Sequence, residues 1–165
     1  MLLNTENNPL FFVDAMLGNI ARKLRLLGYD SKYFPDINDT KLIDTAIKEK
    51  RIIISKDNEL ILRAQKYNLQ VIHITKQKQI EQFFEIINKV HLKNFKINGN
   101  VARCTNCNSL TEPIDKNNYK EKILLGVFNL NENYCRCKSC EKIYWEGTHI
   151  KNLQMFVGKI NERLQ

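Results

Sequence analysis

The cysteines of this 165-residue chain are confined to one short stretch, between positions 104 and 140. Four of them form two Cys-x-x-Cys pairs, which are Cys104 with Cys107 and Cys137 with Cys140. Each pair can chelate a metal from a tight turn, and four thiolates complete the tetrahedral shell that structural Zn²⁺ prefers. The spacing therefore predicts a zinc ribbon in the second half of the chain, with a structural rather than a catalytic metal.

The expected cellular compartment helps to decide whether these cysteines form disulfides or bind a metal. The N-terminus reads MLLNTENNPLFFVDAML, with no basic residue ahead of its short apolar run, so we expect no export signal and a cytoplasmic protein. Thiols stay reduced there, which favours a metal site over disulfides. Cys135 is left over as a weak alternative ligand to Cys137, since only Cys137 completes a Cys-x-x-Cys pair. No apolar run approaches the roughly 18 residues of a membrane span, so we expect no membrane protein.

The residues before Cys104 alternate short apolar runs with helical patterns. The runs PLFFVD, SKYFPD, RIIISKD and VIHI predict four strands, and apolar residues at helical spacing follow each of them. Short connections between alternating strands and helices imply a parallel sheet with helices on both faces and right-handed crossovers. The fold class predicted is α/β.

The helical segments predict particular buried faces and caps. The first helix is expected to end at Gly28, and the second to begin at Asn38 or Asp39. The faces expected to be buried are, in the second helix, Leu42, Ile43, Ala46 and Ile47, and in the third helix, Leu60, Ile61, Ala64 and Tyr67. Between the two cysteine pairs, the run KILLGVFNL is expected to supply a hairpin strand of the ribbon.

Acidic residues follow the strand-like runs. Asp14, Asp36 and Asp57 each come at the end of one run. The carboxyl ends of parallel strands meet at one edge of a sheet, which is where such folds bind ligands. Clustered carboxylates suit Mg²⁺ or Mn²⁺, and two such ions can activate water for phosphodiester cleavage. The alternative is that these acids are helix N-caps, for which Asp39 and Asp57 are the clearest candidates.

Other nucleotide chemistries are disfavoured, whereas a polyanionic partner is not. The chain has no GxxxxGK[ST] loop and no GxGxxG after its first strand, so triphosphate hydrolysis and dinucleotide redox chemistry fit poorly. The net charge of +8 and the pI near 9.3 suit binding to nucleic acid.

Candidate nucleic-acid contacts occur in both halves. Arg22 and Lys23 lie on the first helix, close in sequence to Asp14, where a cation can bind phosphate; their alternative role is a solvated helix face. Beyond the second cysteine pair, Trp145 can stack on a base and His149 can contact phosphate. The alternative for Trp145 is packing of the ribbon, because a small zinc module has little core of its own.

Four motifs occur in order along the chain: FVDAMLGNIARKLRLLGYD, DTKLI, RIIISKDNELILRA, and the two Cys-x-x-Cys pairs followed by YWEGTH. Together they resemble the Mut-seven C-terminal RNase-domain family, over roughly residues 10–155. That family has a PIN-like nuclease fold followed by a zinc ribbon. The resemblance implies a metal-dependent RNase of the PIN-like class that acts through acids at the strand ends.

The resemblance also implies site residues. Asp14 matches the first-strand acid and is expected to bind metal. Asp39 matches the acid that opens the second helix, with Asp36 as the neighbouring alternative. Asp57 matches the acid of a threonine-arginine-aspartate segment, which here reads Ser-Lys-Asp and keeps a cation, Lys56.

A further basic position of the family falls on Arg22, whereas Asn19 stands where the family often has Lys. A fourth acid is common in PIN-type sites, and Asn58 and Glu59 are the candidates for its place.

The sequence as a whole predicts a PIN-like domain over 1–97, a zinc ribbon over 98–150 and a C-terminal helix over 151–165 that packs on the body. The function predicted is hydrolysis of RNA by water activated on Mg²⁺ or Mn²⁺. The sequence does not distinguish tRNA, rRNA and mRNA as substrates. The competing hypotheses are a non-catalytic RNA- or ribosome-binding zinc-ribbon protein and a protein-interaction scaffold. A protein partner is compatible with each of these.

Overall fold

A computed structural model of the chain describes residues 8–92 and 95–165. The prediction about an export signal falls partly on residues 1–7, which lie outside the described residues. The chain divides into two compact units, which comprise residues 1–25 with 29–93 and residues 26–28 with 94–165.

The first unit is built on a four-stranded parallel sheet. Its strands are β1 (Phe11–Val13), β2 (Ser31–Lys32), β3 (Ile52–Ser55) and β4 (Val71–His73). They lie in the order β2-β1-β3-β4, and all three neighbouring pairs are parallel. The predicted α/β class with a parallel sheet is confirmed.

Helices alternate with these strands as the sequence predicts. They are α1 (Gly18–Leu26), α2 (Asp39–Glu49), α3 (Asn58–Gln65) and α4 (Gln79–Val90), and a 3-10 turn over Ala15–Leu17 precedes α1. After α1 the chain turns at Gly28, whose φ of +95° is the left-handed conformation that commonly ends helices. The strands β1 and β3 are buried along their whole length, which explains their nearly unbroken apolar sequence.

Two residues expected on buried helix faces are exposed. Ile47 is 43% exposed although Leu42, Ile43 and Ala46 are buried. It lies about 100° around α2 from Ala46, which puts it at the margin of the buried stripe. Tyr67 is 61% exposed because it comes after the last residue of α3 and so leaves the helical face.

The second unit contains a three-stranded antiparallel sheet of β5 (Thr111–Ile114), β6 (Tyr134–Cys137) and β7 (Ile143–Trp145), with β6 in the middle. A 3-10 segment (Lys116–Lys122) and α5 (Leu125–Leu130) connect β5 to β6, and α6 (Thr148–Leu164) follows β7. The sheet and its cysteine cluster are consistent with a zinc ribbon, as predicted.

The expected hairpin strand between the cysteine pairs is wrong. The last six residues of the run KILLGVFNL form α5 (Leu125–Leu130), and no part of the run is a strand. Because β6 already pairs with β5 on one side and β7 on the other, the sheet offers this run no place beside β6. The helix α5 is held instead by the Tyr134 hydroxyl and the Asn131 amide, which donate to the Val127 carbonyl at 2.8 and 2.9 Å.

Candidate functional site

The strand order of the first unit creates a switch point between β1 and β3. The chain passes from β1 to β2 on one side and then to β3 on the other side of β1. Ligands in open α/β sheets bind outside the carboxyl ends of the strands at such a point. Asp14 follows β1 directly, and its backbone N–H donates to the Ile54 carbonyl of β3 at 2.9 Å.

Asp14 is a buried carboxylate at this point, with only 8% of its surface exposed. Its Oδ2 accepts a hydrogen bond from the buried Ser55 hydroxyl at 2.6 Å, and Ser55 Oγ in turn accepts from the Asp57 backbone N–H at 2.8 Å. A carboxylate is costly to bury unless hydrogen bonds or cations compensate for lost water. Ser55 therefore orients one oxygen of Asp14 and ties it to the loop after β3.

Asp57 is exposed and caps α3. Its Oδ1 accepts from the backbone N–H groups of Glu59 and Leu60 at 2.7 and 3.2 Å. The capping role that the sequence offered as an alternative is therefore present for Asp57. Asn58 and Glu59, the candidates for a fourth acidic position, lie exposed in the first turn of the same helix.

Asp39 is the first residue of α2, and Asn38 is the cap, with its Oδ1 accepting from the Lys41 backbone N–H at 2.9 Å. The Asp39 carboxylate pairs with Arg63 of α3, at 3.0 Å between Oδ2 and Nη1. Asp36 is exposed and comes four residues after β2 rather than at its last residue. Sequence reasoning did not single out Arg63, since its partner lies on another helix and no local spacing connects the two.

The candidate acids do not share one tight cluster. Within residues 8–92 and 95–165, the carboxylates form no group of three or more whose ligand atoms lie within 4.8 Å of one another. Mg²⁺ is commonly bound by one or two carboxylates together with water and substrate phosphates. Among the four acids, the buried and hydrogen-bonded Asp14 has the donor chemistry and the position that fit this pattern best.

The basic side chains predicted to contact RNA in the first unit lie on α1 and directly after β3. Arg22 is exposed and donates to Asn19 Oδ1 at 3.4 Å. Lys23 is half-buried, and this burial lowers the pKa of its amine. Lys56 is half-buried between Ser55 and Asp57, and its carbonyl lies 3.3 Å from Nε2 of His73.

The second unit brings four cysteines together. The Sγ atoms of Cys104, Cys107, Cys137 and Cys140 all lie within 4.8 Å of one another. The distance is 3.5 Å between Cys104 and Cys140 and 3.4 Å between Cys107 and Cys137. A tetrahedral Zn²⁺ with bonds of about 2.3 Å needs sulfur atoms about 3.8 Å apart. The cluster can therefore hold zinc, and it includes Cys137 rather than Cys135.

Backbone N–H groups support the sulfur atoms. In the first pair, Cys104 Sγ accepts from the N–H groups of Asn106 and Cys107, each at 3.4 Å. In the second pair, the N–H groups of Ser139 and Cys140 donate to Cys137 Sγ at the same distance. Such donors stabilise thiolates and orient them toward a shared metal.

The thiols differ in acidity. Burial opposes ionisation of Cys107, but hydrogen bonds from Ser109 and the thiol of Cys137 lower its pKa to about 6. Burial raises the pKa of Cys137 to about 12. Four adjacent thiolates repel one another, so full ionisation of the cluster requires a cation such as Zn²⁺.

The aromatic motif after the second cysteine pair lies at β7 and the start of α6. The Tyr144 hydroxyl is 3.0 Å from Cys104 Sγ and accepts from the Thr105 backbone N–H at 3.1 Å. Trp145 is 40% exposed, so it is partly packed and partly accessible. His149 is exposed in the first turn of α6.

The family model of the Mut7-C RNAse domain matches residues 9–157. The chain belongs to the Mut7-C RNAse domain family. The match covers nearly all of the chain, so the resemblance seen in the sequence motifs is confirmed. Comparison with curated proteins finds no match, and comparison with solved structures finds none.

Membership of the Mut7-C family indicates a nuclease-like function, with RNA as the substrate class that the family's description names. The chain combines the α/β sheet with a four-cysteine site that can hold zinc. None of the helices in the described part of the chain is long and apolar enough to cross a bilayer.

Proposed function

We propose that this Mut7-C chain is a metal-dependent ribonuclease of the PIN-like class, a hydrolase that cleaves RNA phosphodiesters at the carboxyl end of the parallel sheet. One observation supports this site above all, namely the buried carboxylate of Asp14 at the switch point, oriented by the Ser55 hydroxyl at 2.6 Å. The family description supports the reaction class.

Asp14, Asp39 and Asp57, with Asp36 as the neighbour of Asp39, would hold Mg²⁺ or Mn²⁺. When bound, such an ion would activate water and stabilise the charge that develops on the leaving oxygen. Ser55 keeps the Asp14 carboxylate in a single orientation while substrate binds. Oδ1 of Asp57 caps α3 by accepting from the Glu59 backbone N–H. Its other carboxylate oxygen, Oδ2, would be the one that binds the metal.

Basic and aromatic side chains would bind the RNA. Arg22, Lys23 and Lys56 supply positive charge in the first unit, where phosphate contacts would position the strand without reading its sequence. Trp145 and His149 supply a stacking surface and a phosphate contact in the ribbon unit. The RNA bound would be single-stranded at the site of attack, so that its backbone can reach a buried carboxylate.

Zinc would have a structural role. A four-coordinate shell would be closed by Cys104, Cys107, Cys137 and Cys140, with no position left open for water or substrate.

We propose domain boundaries of 1–97 for the PIN-like domain and 98–150 for the ribbon, followed by the C-terminal helix. We place the protein in the cytoplasm, because free thiols persist as zinc ligands in a reducing compartment.

One observation favours a second function, that of a non-catalytic RNA- or ribosome-binding protein. Asp57 caps α3 and Asp39 pairs with Arg63, so two candidate acids have structural roles in the fold. In this alternative the ribbon and the basic surface bind RNA through salt-sensitive phosphate contacts. The two functions differ in their response to Mg²⁺ and Mn²⁺, on which cleavage depends and phosphate binding does not.

The test is cleavage of single-stranded and structured RNAs by zinc-loaded protein, with and without Mn²⁺, alongside the Asp14→Asn variant. Asparagine keeps an oxygen that can accept from Ser55 but removes the charge that a cation needs. We expect the rate to fall at least about a hundredfold, because metal stabilisation of the transition state is worth several kcal/mol. Asp44→Asn, an exposed aspartate of α2, is the matched control and should cleave normally.

Metal-dependent cleavage that Asp14→Asn abolishes would support the nuclease and place its site at the sheet edge. Equal cleavage by the variant and wild type would refute the site. Absence of cleavage on all RNAs, with binding retained, would refute the nuclease in favour of the binding protein.

A further inference from the structure

The ribbon unit contains a groove beside β7 to which no role has been assigned. Its cavity volume is about 100 Å³, and it opens to solvent. Its lining includes Arg103, Asn133, Cys135, Trp145, Glu146 and Gln154. The groove thus combines an aromatic surface with hydrogen-bonding groups.

The aromatic part of the groove is held in place. A Cβ added at Gly147 would lie 2.8 Å from Nε1 and 3.1 Å from Cδ1 of Trp145, so the backbone there packs directly against the indole. Tyr144, also in the lining, is tied to the first cysteine pair through its hydroxyl. Unpaired bases of RNA bind to such partly exposed aromatic rings by stacking.

The polar part of the groove presents a carboxylate. Glu146 follows Trp145 directly, and the Asn133 side-chain amide donates to its Oε2 at 3.5 Å. An ionised carboxylate accepts hydrogen bonds only. The group recognised must therefore carry donors.

Guanine is the base that meets this requirement. Its Watson–Crick edge carries two adjacent donors, N1–H and the 2-amino group, which match the two oxygens of one carboxylate. Adenine and cytosine each offer one amino group beside an acceptor, and uracil offers one N–H between two carbonyls. Recognition of splayed bases through this edge is usual in single-stranded RNA binding.

We propose that this groove binds an unpaired guanine of the RNA, stacked on Trp145 with its Watson–Crick edge on Glu146. The proposal rests on the proposed function, from which RNA is taken as the substrate class. It adds a preference for guanine within single-stranded RNA.

The test uses the fact that Trp145 is the only tryptophan of the chain, so its fluorescence reports stacking in this groove alone. Zinc-loaded full-length protein is titrated with guanosine, adenosine, cytidine and uridine monophosphates, without Mg²⁺ or Mn²⁺. We expect saturable quenching by the guanosine nucleotide, with a Kd about tenfold below the other three, as for loss of one bidentate base contact.

Two variants and one control separate base reading from stacking. Glu146→Gln should abolish the preference for guanine, whereas Glu162→Gln, an exposed glutamate of α6, should keep it. Gly147→Ala should weaken binding of all four nucleotides, because its new Cβ displaces the indole. Zinc content and circular dichroism establish that each variant is folded.

Equal affinities for the four nucleotides, no saturable quenching, or an unchanged preference in Glu146→Gln would each overturn the proposal. The outcome is separable from that of the nuclease test. Guanine-selective quenching by a protein that cleaves no RNA refutes only the nuclease, whereas cleavage by a protein with no such quenching refutes only this groove.

Discussion

The two units of this chain differ in what they bury. The parallel-sheet unit buries large apolar side chains on both faces of its sheet, such as those of the consecutive β1 residues Phe11 and Phe12. The ribbon unit has fewer buried apolar side chains among the described residues, with Phe95 and Ile160 fully buried. It also buries two cysteines of its four-cysteine cluster, Cys104 and Cys137.

This difference follows from the small size of each unit and from how much apolar surface it can bury away from water. A small domain buries a low fraction of its surface, so a bound metal commonly supplies the missing stability. In such sites the free energy of metal binding is free energy of folding. We therefore expect the ribbon unit to depend on zinc for folding and the parallel-sheet unit to fold without a metal.

The largest effect that would test this comparison is loss of the metal site. Cys104→Ser should unfold the ribbon unit while the parallel sheet stays folded, because zinc binding by such modules is worth about 10 kcal/mol or more. Limited proteolysis with mass spectrometry should show cleavage confined to residues beyond about 95, together with loss of bound zinc.

Cys135→Ser is the matched control, because Cys135 lies outside the four-cysteine group. It should keep one zinc per chain and resist proteolysis as the wild type does. Equal protection of both units in Cys104→Ser would contradict the dependence of the ribbon on zinc.

A smaller effect is expected from the core of the parallel-sheet unit. Phe12→Ala in β1 removes a fully buried ring and should lower the free energy of unfolding of this unit by about 3–5 kcal/mol. Urea unfolding with the zinc site intact measures the change. Ile47→Ala, at the exposed position of α2, should change it by less than about 0.5 kcal/mol. Similar losses in the two variants would show that this apolar core does not carry the stability.

The smallest expected effect is a pH dependence from one ion-pair network. Hydrogen bonds from Lys32 and Arg51 hold the pKa of Glu49 below its usual range. The carboxylate therefore stabilises the folded state at neutral pH, and this contribution is lost as the pH falls through its lowered pKa. Glu49→Gln should be less stable than wild type by at most about 1 kcal/mol at neutral pH, as for other partly exposed pairs.

Urea unfolding of wild type and Glu49→Gln over a series of pH values measures this difference. The two proteins should converge in acid, where both side chains are neutral. A difference that persists below the pKa of Glu49 would show that packing rather than charge is responsible.

The sequence predicted the parts of the structure that repeat along it. Alternating apolar runs and helical patterns were enough to predict the order of strands and helices in the first unit. Each buried strand is a short apolar run, and each helix repeats its apolar residues at helical spacing. The Cys-x-x-Cys spacing was enough to select Cys137 over Cys135. The roles proposed for Asp14, Asp39 and Asp57 in binding Mg²⁺ or Mn²⁺ stay predictions.

The expected hairpin strand was wrong because its formation depended on neighbours distant in sequence. The run KILLGVFNL has the apolar character of a strand, but β5 and β7 occupy both sides of β6. The ion pair between Asp39 and Arg63 was missed for a similar reason. It joins two helices, and no local sequence pattern shows that these helices come close together. Such contacts depend on packing, which a single sequence does not display.

The sequence by itself determined the α/β order, the four cysteines that can hold zinc and the family, because these depend on residue type and on spacing within one segment. Only the tertiary structure decided which groups meet. The pairing of β1 with β3 brings Ser55 to the carboxylate of Asp14, and the register of β6 and β7 places Cys135 opposite Tyr144 in the groove wall. The physical reason is that hydrogen bonds and burial act between surfaces that are adjacent only after the chain has folded.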